Sequence, residues 1–173
     1  MTASQPLWTP SSAAIQSAPM TRFLREAEKA GAGPFSGFDD LHRWSIDRRE
    51  EFWNLVWDFC GIEGVKGSRV LADGDRMPGA SFFPEAKLNF AENLLRKRGA
   101  GDAIVFKGED RVSRRMSWDE LRALVSRLQQ AFSAAGVKPG DRIAAMMPNM
   151  PETVACMLAT ASLGAIWSSC SPD

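Results

Sequence analysis

The chain has 173 residues, and its 21 lysine and arginine residues balance 21 aspartate and glutamate residues, giving a formal net charge of zero. This balance argues against a nucleic-acid or membrane-surface partner, because both need a basic surplus on one face. Apolar residues make up 45% and charged residues 24%, which is typical of a folded globular protein and not of a disordered one.

Three widely spaced cysteines, Cys60, Cys156 and Cys170, form no CxxC pair, which argues against a zinc site or a disulfide framework. We interpret them as small core residues in a reducing compartment. The N-terminus has no leader pattern, and no stretch approaches the roughly 18 apolar residues of a membrane span. These features predict a soluble, cytoplasmic protein.

Helices separated by turns are predicted for the first hundred residues. Residues 1–35 include a short amphipathic stretch at 20–30 and indicate an arm laid over a partner surface. Residues 47–60 predict a helix that is capped by Asp47 and followed by Gly61. Two neighbouring faces of this helix carry large apolar side chains that need burial: Phe52, Val56 and Phe59 on one, Trp53 and Trp57 on the other.

Residues 61–84 are rich in glycine and proline, which predicts a surface connection with one short β-like run. Its acidic stretch at 73–75 indicates a turn in preference to a metal-ligand pair. Residues 87–99 return to helical spacing, and residues 103–117 predict a β-hairpin around a Gly-Glu-Asp turn.

The clearest predicted helix starts with a capping box, Ser117 with Glu120, and ends at Gly136. Its apolar stripe consists of Leu121, Leu124, Val125, Leu128 and Phe132. Residues 142–147 then form a short apolar run without alternation, as expected of a strand that is buried on both faces.

A second helix and strand follow this run. Asn149 is predicted to cap a helix that has Pro151 in its first turn and ends at Leu163, and residues 165–169 predict the next strand. This alternation is typical of a doubly wound α/β fold with a parallel sheet. Two parallel strands leave an apolar edge open after Trp167, so we expect either a larger α/β protein or a partner chain that supplies strands.

Standard chemical motifs are missing from the sequence, which contains no GxxxxGK[ST], GxGxxG or GxSxG pattern. The single histidine, His42, is interpreted as a surface or packing residue, since no nucleophile lies nearby in the sequence. The basic run of Arg111, Arg114 and Arg115 fits a solvated strand face as well as phosphate binding. No catalytic or metal-ligating residue is assigned.

Three stretches resemble acyl-CoA synthetases of the adenylate-forming superfamily: LHRWSIDRREEFWNLVWDFCGI, FFPEAKLNFAENLL, and the run from Met116 through GVKPGDRIA and MPNMPE to WSSCSPD. The last stretch is general to the superfamily. The first two are similar to the branch that carries an extra N-terminal segment. LHRWSI, DFCG and the ending favour members that act on acetoacetate.

The resemblance implies an N-terminal segment at 1–100 and the truncated start of an AMP-binding domain at 101–173. It also implies a two-step reaction. A carboxylate attacks the α-phosphate of Mg-bound ATP to give an acyl adenylate and diphosphate, and the coenzyme A thiol then displaces AMP. The phosphate loop, later nucleotide motifs and C-terminal lysine of the family are not among the 173 residues, so we do not expect this chain to be active alone.

By the same resemblance, Ser171, Pro172 and Asp173 are the candidate cofactor-binding residues, in a loop close to coenzyme A, although the family has glycines where Pro172 and Asp173 stand. A plain strand-end turn is the alternative. Trp167 is interpreted as a core residue or as part of the same cleft. Two other functions stay open: an acetyl- or propionyl-CoA synthetase, and a small binding or assembly module that self-associates through the sheet edge.

Overall fold

The computed structural model describes residues 6–109 and 111–172, and contacts divide these residues into two compact units. The first unit contains residues 6–62 and Lys66–Ala86, and the second contains Glu63–Val65 and the described residues from Lys87 onward. In chain order the elements are α1 (Ser12–Ser17), α2 (Pro19–Lys29), α3 (Phe38–Asp47), α4 (Arg49–Phe59), β1 (Leu71–Ala72), β2 (Ser81–Phe82), α5 (Phe90–Leu94), β3 (Asp102–Gly108), β4 (Val112–Ser117), α6 (Trp118–Ala134), β5 (Arg142–Met146), α7 (Pro151–Ser162) and β6 (Ile166–Cys170).

The first unit is helical, and its predicted central helix is confirmed with a different start. Helix α3 already runs from Phe38 to Asp47, so Asp47 ends a helix and the prediction that it caps one was wrong. Arg48, with φ −122° and ψ 53°, separates α3 from α4 and occupies the N-cap position. The sequence analysis did not predict α3, because α3 ends only two residues before α4 starts and no clear break separates the two helices.

Aromatic packing forms the core of this unit, as the two apolar faces of α4 predict. The rings of Phe52 and Phe59 meet Phe23 of α2 edge to face, with centroids 5.6 and 5.1 Å away. Trp57, only 9% exposed, packs on Phe83 at 4.9 Å. Such pairs add to the stabilisation from area burial alone. The buried residues of the main cluster are Phe23, Ala27, Leu41 and Trp44.

The connection between α4 and α5 contains β1 and β2, two residues each, paired antiparallel. The predicted turn at 73–75 is confirmed: Asp73 has φ 51°, and its carbonyl accepts a hydrogen bond from the Arg76 amide at 2.9 Å. Asp75 forms an ion pair with Arg49 at 2.7 Å, so this acidic stretch contacts the first residue of α4.

In the second unit, β3 and β4 form the predicted antiparallel hairpin, with Gly108 opposite Val112 next to the turn. Helix α6 follows directly, and its capping box is confirmed: the Ser117 hydroxyl accepts from the Glu120 amide, and the Glu120 carboxylate accepts from the Ser117 amide. The predicted stripe of α6 packs on α7, where Ala155 and Ala159 are fully buried.

Strand β5, helix α7 and strand β6 form a parallel β-α-β unit, which confirms the predicted order. Two details of the prediction were wrong. The N-cap of α7 is Met150, so Asn149 lies one residue outside the helix and is exposed. β5 alternates between exposed and half-buried residues, which is the pattern of a strand that is covered on one face, so the expected burial on both faces was wrong.

Two further expectations also need correction. The helix predicted across 87–99 is the five-residue α5, which Asn89 caps and which ends before Leu95. Cys60 and Cys170 are exposed and only Cys156 is half-buried, so the interpretation of all three as core residues was wrong. Cys60 stands at the C-terminal end of α4, and Cys170 ends β6, where little packs over the chain.

Candidate ligand-facing edge of the parallel strands

The carboxyl ends of β5 and β6 lie side by side. Met146 is opposite Cys170 in the parallel register, and the next amide, that of Met147, donates a hydrogen bond to the Cys170 carbonyl at 3.2 Å. We call residues 146–147 and 170–172 the exit edge. Ligands of open parallel sheets bind beyond the carboxyl ends of the strands, so this edge is the candidate site.

Two of the three predicted site residues lie at the exit edge. Ser171 and Pro172 follow β6 directly and are exposed. Asp173, the third, lies outside the described residues. Trp167 is the second residue of β6, is half-buried, and lies opposite Ile143, so it belongs to the other end of the strand. The structure therefore brings Ser171 and Pro172 near Met147 but places Trp167 away from them.

The exit edge offers a restricted set of hydrogen-bonding groups. Ser171 carries a hydroxyl and a backbone amide, whereas Pro172 has no amide hydrogen to donate. A phosphate cradle is built from successive backbone amides that approach the anion closely, usually with glycine to make room. The exit edge is therefore suited to individual polar contacts with a ligand and not to a phosphate cradle of successive backbone amides.

The start of α7 is fixed by an ion pair that the sequence did not reveal. Arg114 of β4 donates two parallel hydrogen bonds to Glu152, with Nη1–Oε1 and Nη2–Oε2 distances of 2.7 Å each. Glu152 is in the first turn of α7, where a negative charge suits the helix dipole. The two residues are 38 positions apart, so no local pattern links them, although Arg114 had been singled out within the basic run.

This ion pair changes the electrostatics of the first turn of α7. The hydrogen bonds from Arg114 lower the pKa of the Glu152 carboxyl, and those same bonds raise the pKa of Arg114. Burial, together with the charge of Glu152, raises the pKa of the Cys156 thiol. A thiol of this kind stays protonated near neutral pH, which argues against a nucleophilic role for Cys156.

The neighbouring arginine of the hairpin has a different partner. Arg115 forms an ion pair with Asp102, which lies on the adjacent strand β3. The basic run therefore includes one contact within the hairpin and one between the hairpin and α7. Arg114 and Arg115 are both exposed on β4, which agrees with the solvated strand face that the sequence favoured, and each forms an ion pair.

Two cavities lie away from the exit edge. One of about 640 Å³ runs beside α5 and α6, and Glu63, Glu92, Arg98 and Arg122 are among its lining residues. Its mixed charges favour no single class of ligand. The other, about 410 Å³, is an apolar cavity of the first unit with His42 at its wall. The exposed His42 ring stacks on Phe38 at 5.9 Å, which confirms a surface and packing role.

Within residues 6–109 and 111–172, no group of three or more His, Cys, Asp or Glu side chains is arranged to hold a metal ion. No helix of this part is both long and apolar enough to cross a bilayer.

Two protein families match adjoining parts of the chain. The AMP-binding enzyme family matches residues 92–173, and the acetyl-coenzyme A synthetase N-terminus family matches residues 38–94. The two matches overlap only at 92–94 and together extend from α3 to the last residue.

Individual relatives match over nearly the whole chain. An acetoacetyl-coenzyme A synthetase of Rhizobium meliloti (strain 1021) is 58% identical over 173 residues, all of this chain and 27% of that protein. A malonamoyl-CoA synthetase, vrtB, of Penicillium aethiopicum is 37% identical over 96% of this chain and 24% of that protein. The solved acetoacetyl-CoA synthetase of Streptomyces lividans superposes with a TM-score of 0.89 at 40% identity, covering 98% of this chain and 27% of that structure.

These matches confirm the resemblance seen in the three sequence stretches. The chain spans about a quarter of the length of the relatives it matches, and its residues 38–94 match the family that describes an acetyl-coenzyme A synthetase N-terminus. Sequence and structure agree on the same group of enzymes. The chain therefore belongs to the adenylate-forming acyl-CoA synthetase family, as the N-terminal portion of such an enzyme.

Proposed function

We propose that this chain is the N-terminal part of an acetoacetate–CoA ligase, which converts ATP, acetoacetate and coenzyme A into AMP, diphosphate and acetoacetyl-CoA through an acyl adenylate. The observation that carries the proposal is the 58% identity along the entire chain to an acetoacetyl-coenzyme A synthetase. The TM-score of 0.89 to a second acetoacetyl-CoA synthetase supports it.

The role of this chain in the reaction is to build the first β-α-β unit and its exit edge. We assign residues 1–100 to the N-terminal segment and 101–173 to the start of the AMP-binding domain, a division supported by the two family matches that meet near residue 93. Ser171, Pro172 and Asp173 are the proposed coenzyme A-proximal residues. ATP and magnesium are bound by other parts of the enzyme, which acts in the cytoplasm on small molecules and not on nucleic acid.

Acetoacetate is favoured over other short acids by the ranking of the relatives. The acetoacetyl-coenzyme A synthetase is 58% identical, against 37% for the malonamoyl-CoA synthetase, although both cover nearly all of this chain. Both relatives activate short acids that carry a second carbonyl group on the β-carbon. An acid with such a β-carbonyl is therefore preferred here over acetate or propionate.

The proposal is tested by acid-dependent exchange of labelled diphosphate into ATP on the full-length protein. Acetoacetate should support exchange at least tenfold better than acetate or propionate at equal concentration, since a site that hydrogen-bonds a substrate group discriminates against acids lacking it. The 173-residue chain alone serves as the control and should show no exchange. Equal exchange with acetate would overturn the substrate assignment, and no exchange with any acid would overturn the ligase itself.

A further inference from the structure

A continuous set of contacts joins the β3–β4 hairpin to the exit edge. It begins with the two hydrogen bonds from Arg114 to Glu152. It continues through the first turn of α7, where the Thr153 hydroxyl donates to the Pro148 carbonyl at 2.7 Å. It ends with the Met147 amide, which donates to the Cys170 carbonyl.

We propose that Arg114 and Glu152 are positioning residues, whose ion pair holds the start of α7 against the hairpin and thereby fixes the exit edge for coenzyme A. The hairpin and the start of α7 are far apart in the sequence, and their only other connection along the chain runs through α6 and β5. The part of this inference that concerns coenzyme A rests on the proposed function.

The geometry of the pair suits a positioning role. A guanidinium that donates two parallel hydrogen bonds to one carboxylate restricts both the distance and the orientation of its partner. Arg114 also makes a cation–π contact with Phe106, the residue opposite it on β3, with its Cζ 5.7 Å from the ring centroid. The two side chains are 42% and 34% exposed, so water screens the pair only partly.

The connection from Glu152 to the exit edge is short. Glu152 is the second residue of α7, and only residues 148–150 separate the helix from Met147. The Thr153 hydrogen bond closes this segment onto the helix. Release of Glu152 therefore frees the helix start and the loop before it, and the hydrogen bond between Met147 and Cys170 opens more often.

The chain offers a matched control for this pair. Arg115 is the next residue of β4 and also forms an ion pair, but its partner, Asp102, is within the hairpin. Arg115→Ala thus removes an arginine ion pair of the same hairpin without touching α7. Arg114→Ala, Glu152→Ala and the double variant complete the set, which forms a double-mutant cycle.

The first readout is hydrogen exchange of the Met147 amide in the full-length protein. We expect Arg114→Ala and Glu152→Ala each to raise its exchange rate about threefold to fivefold, the effect of losing a partly exposed ion pair. The double variant should exchange no faster than either single variant, and Arg115→Ala should match the wild type. An unchanged rate in Arg114→Ala, an additive double variant, or an equal rise in Arg115→Ala would each overturn the proposal.

The second readout separates the two steps of the proposed reaction. Arg114→Ala should raise the KM for coenzyme A about threefold to fivefold while leaving acetoacetate-dependent diphosphate exchange unchanged. Faster amide exchange with an unchanged KM would overturn the link to coenzyme A. A wild-type protein without diphosphate exchange would refute the proposed function, whereas the amide exchange would still decide whether the pair positions the edge.

Discussion

Asn89 joins the start of α5 to the end of α7, and its loss is expected to destabilise the second unit. Its Oδ1 accepts the Glu92 amide as the N-cap of α5 at 3.2 Å, and its Nδ2 donates to the last carbonyls of α7, those of Ala161 and Ser162, at 3.3 and 3.1 Å. Loss of the cap costs about 1 kcal/mol. Loss of the donated bonds to α7 costs about 1 kcal/mol more, so Asn89→Ala should lower the free energy of unfolding by about 2 kcal/mol.

The matched control is Asn149→Ala. The sequence alone predicts about 1 kcal/mol for this change, because Asn149 looks like the cap of α7. Since the N-cap is Met150 and Asn149 is exposed, we now expect less than about 0.5 kcal/mol. Urea-induced unfolding followed by tryptophan fluorescence measures both values. Equal costs for the two substitutions would refute the assignment of Asn89 as the residue that joins α5 to α7.

Two further predictions concern the core and the ion pair of the second unit. Leu158 is 2% exposed, so Leu158→Ala should lower the free energy of unfolding by about 3 kcal/mol, whereas the fully exposed Leu7→Ala should cost less than about 0.5 kcal/mol in the same urea assay. Arg114 lowers the pKa of Glu152 in the folded state, so the unfolded chain binds more protons at this carboxyl as the pH falls. The ion pair therefore stabilises the fold above about pH 4.5, and this stabilisation is lost as the pH falls through the folded-state pKa. Arg114→Ala should therefore reduce the acid dependence of stability in urea titrations as the pH falls below about 4.5. The wild-type dependence persisting in that variant would contradict this assignment.

The sequence predicted those helices and strands that depend on residues close together in the chain, such as helix caps, apolar stripes and turns. The capping box of Ser117 and Glu120 fixes the start of α6, and its apolar stripe faces α7 as its spacing requires. The hairpin around Gly108 and the order of β5, α7 and β6 follow in the same way. In each case the deciding residues are neighbours or lie on one face of one helix.

The contacts that the sequence could not predict join distant positions. Asn89 reaches residues 161 and 162, and Arg114 reaches Glu152, so neither pairing has a local signature. The cap of α7 was misplaced by one residue because Asn149 is a better cap by residue type than Met150, yet Pro151 already occupies the first helical position. Residue type alone does not determine at which residue a helix starts.

The mass of the native protein tests the central claim most directly. It can be read from a blot of the source cells with an antibody raised against this chain. The account predicts a band about four times heavier than 19.0 kDa, because the chain spans 27% of the acetoacetyl-coenzyme A synthetase that it matches along its entire length. A native band at 19.0 kDa would contradict the claim that this chain is the N-terminal part of a ligase.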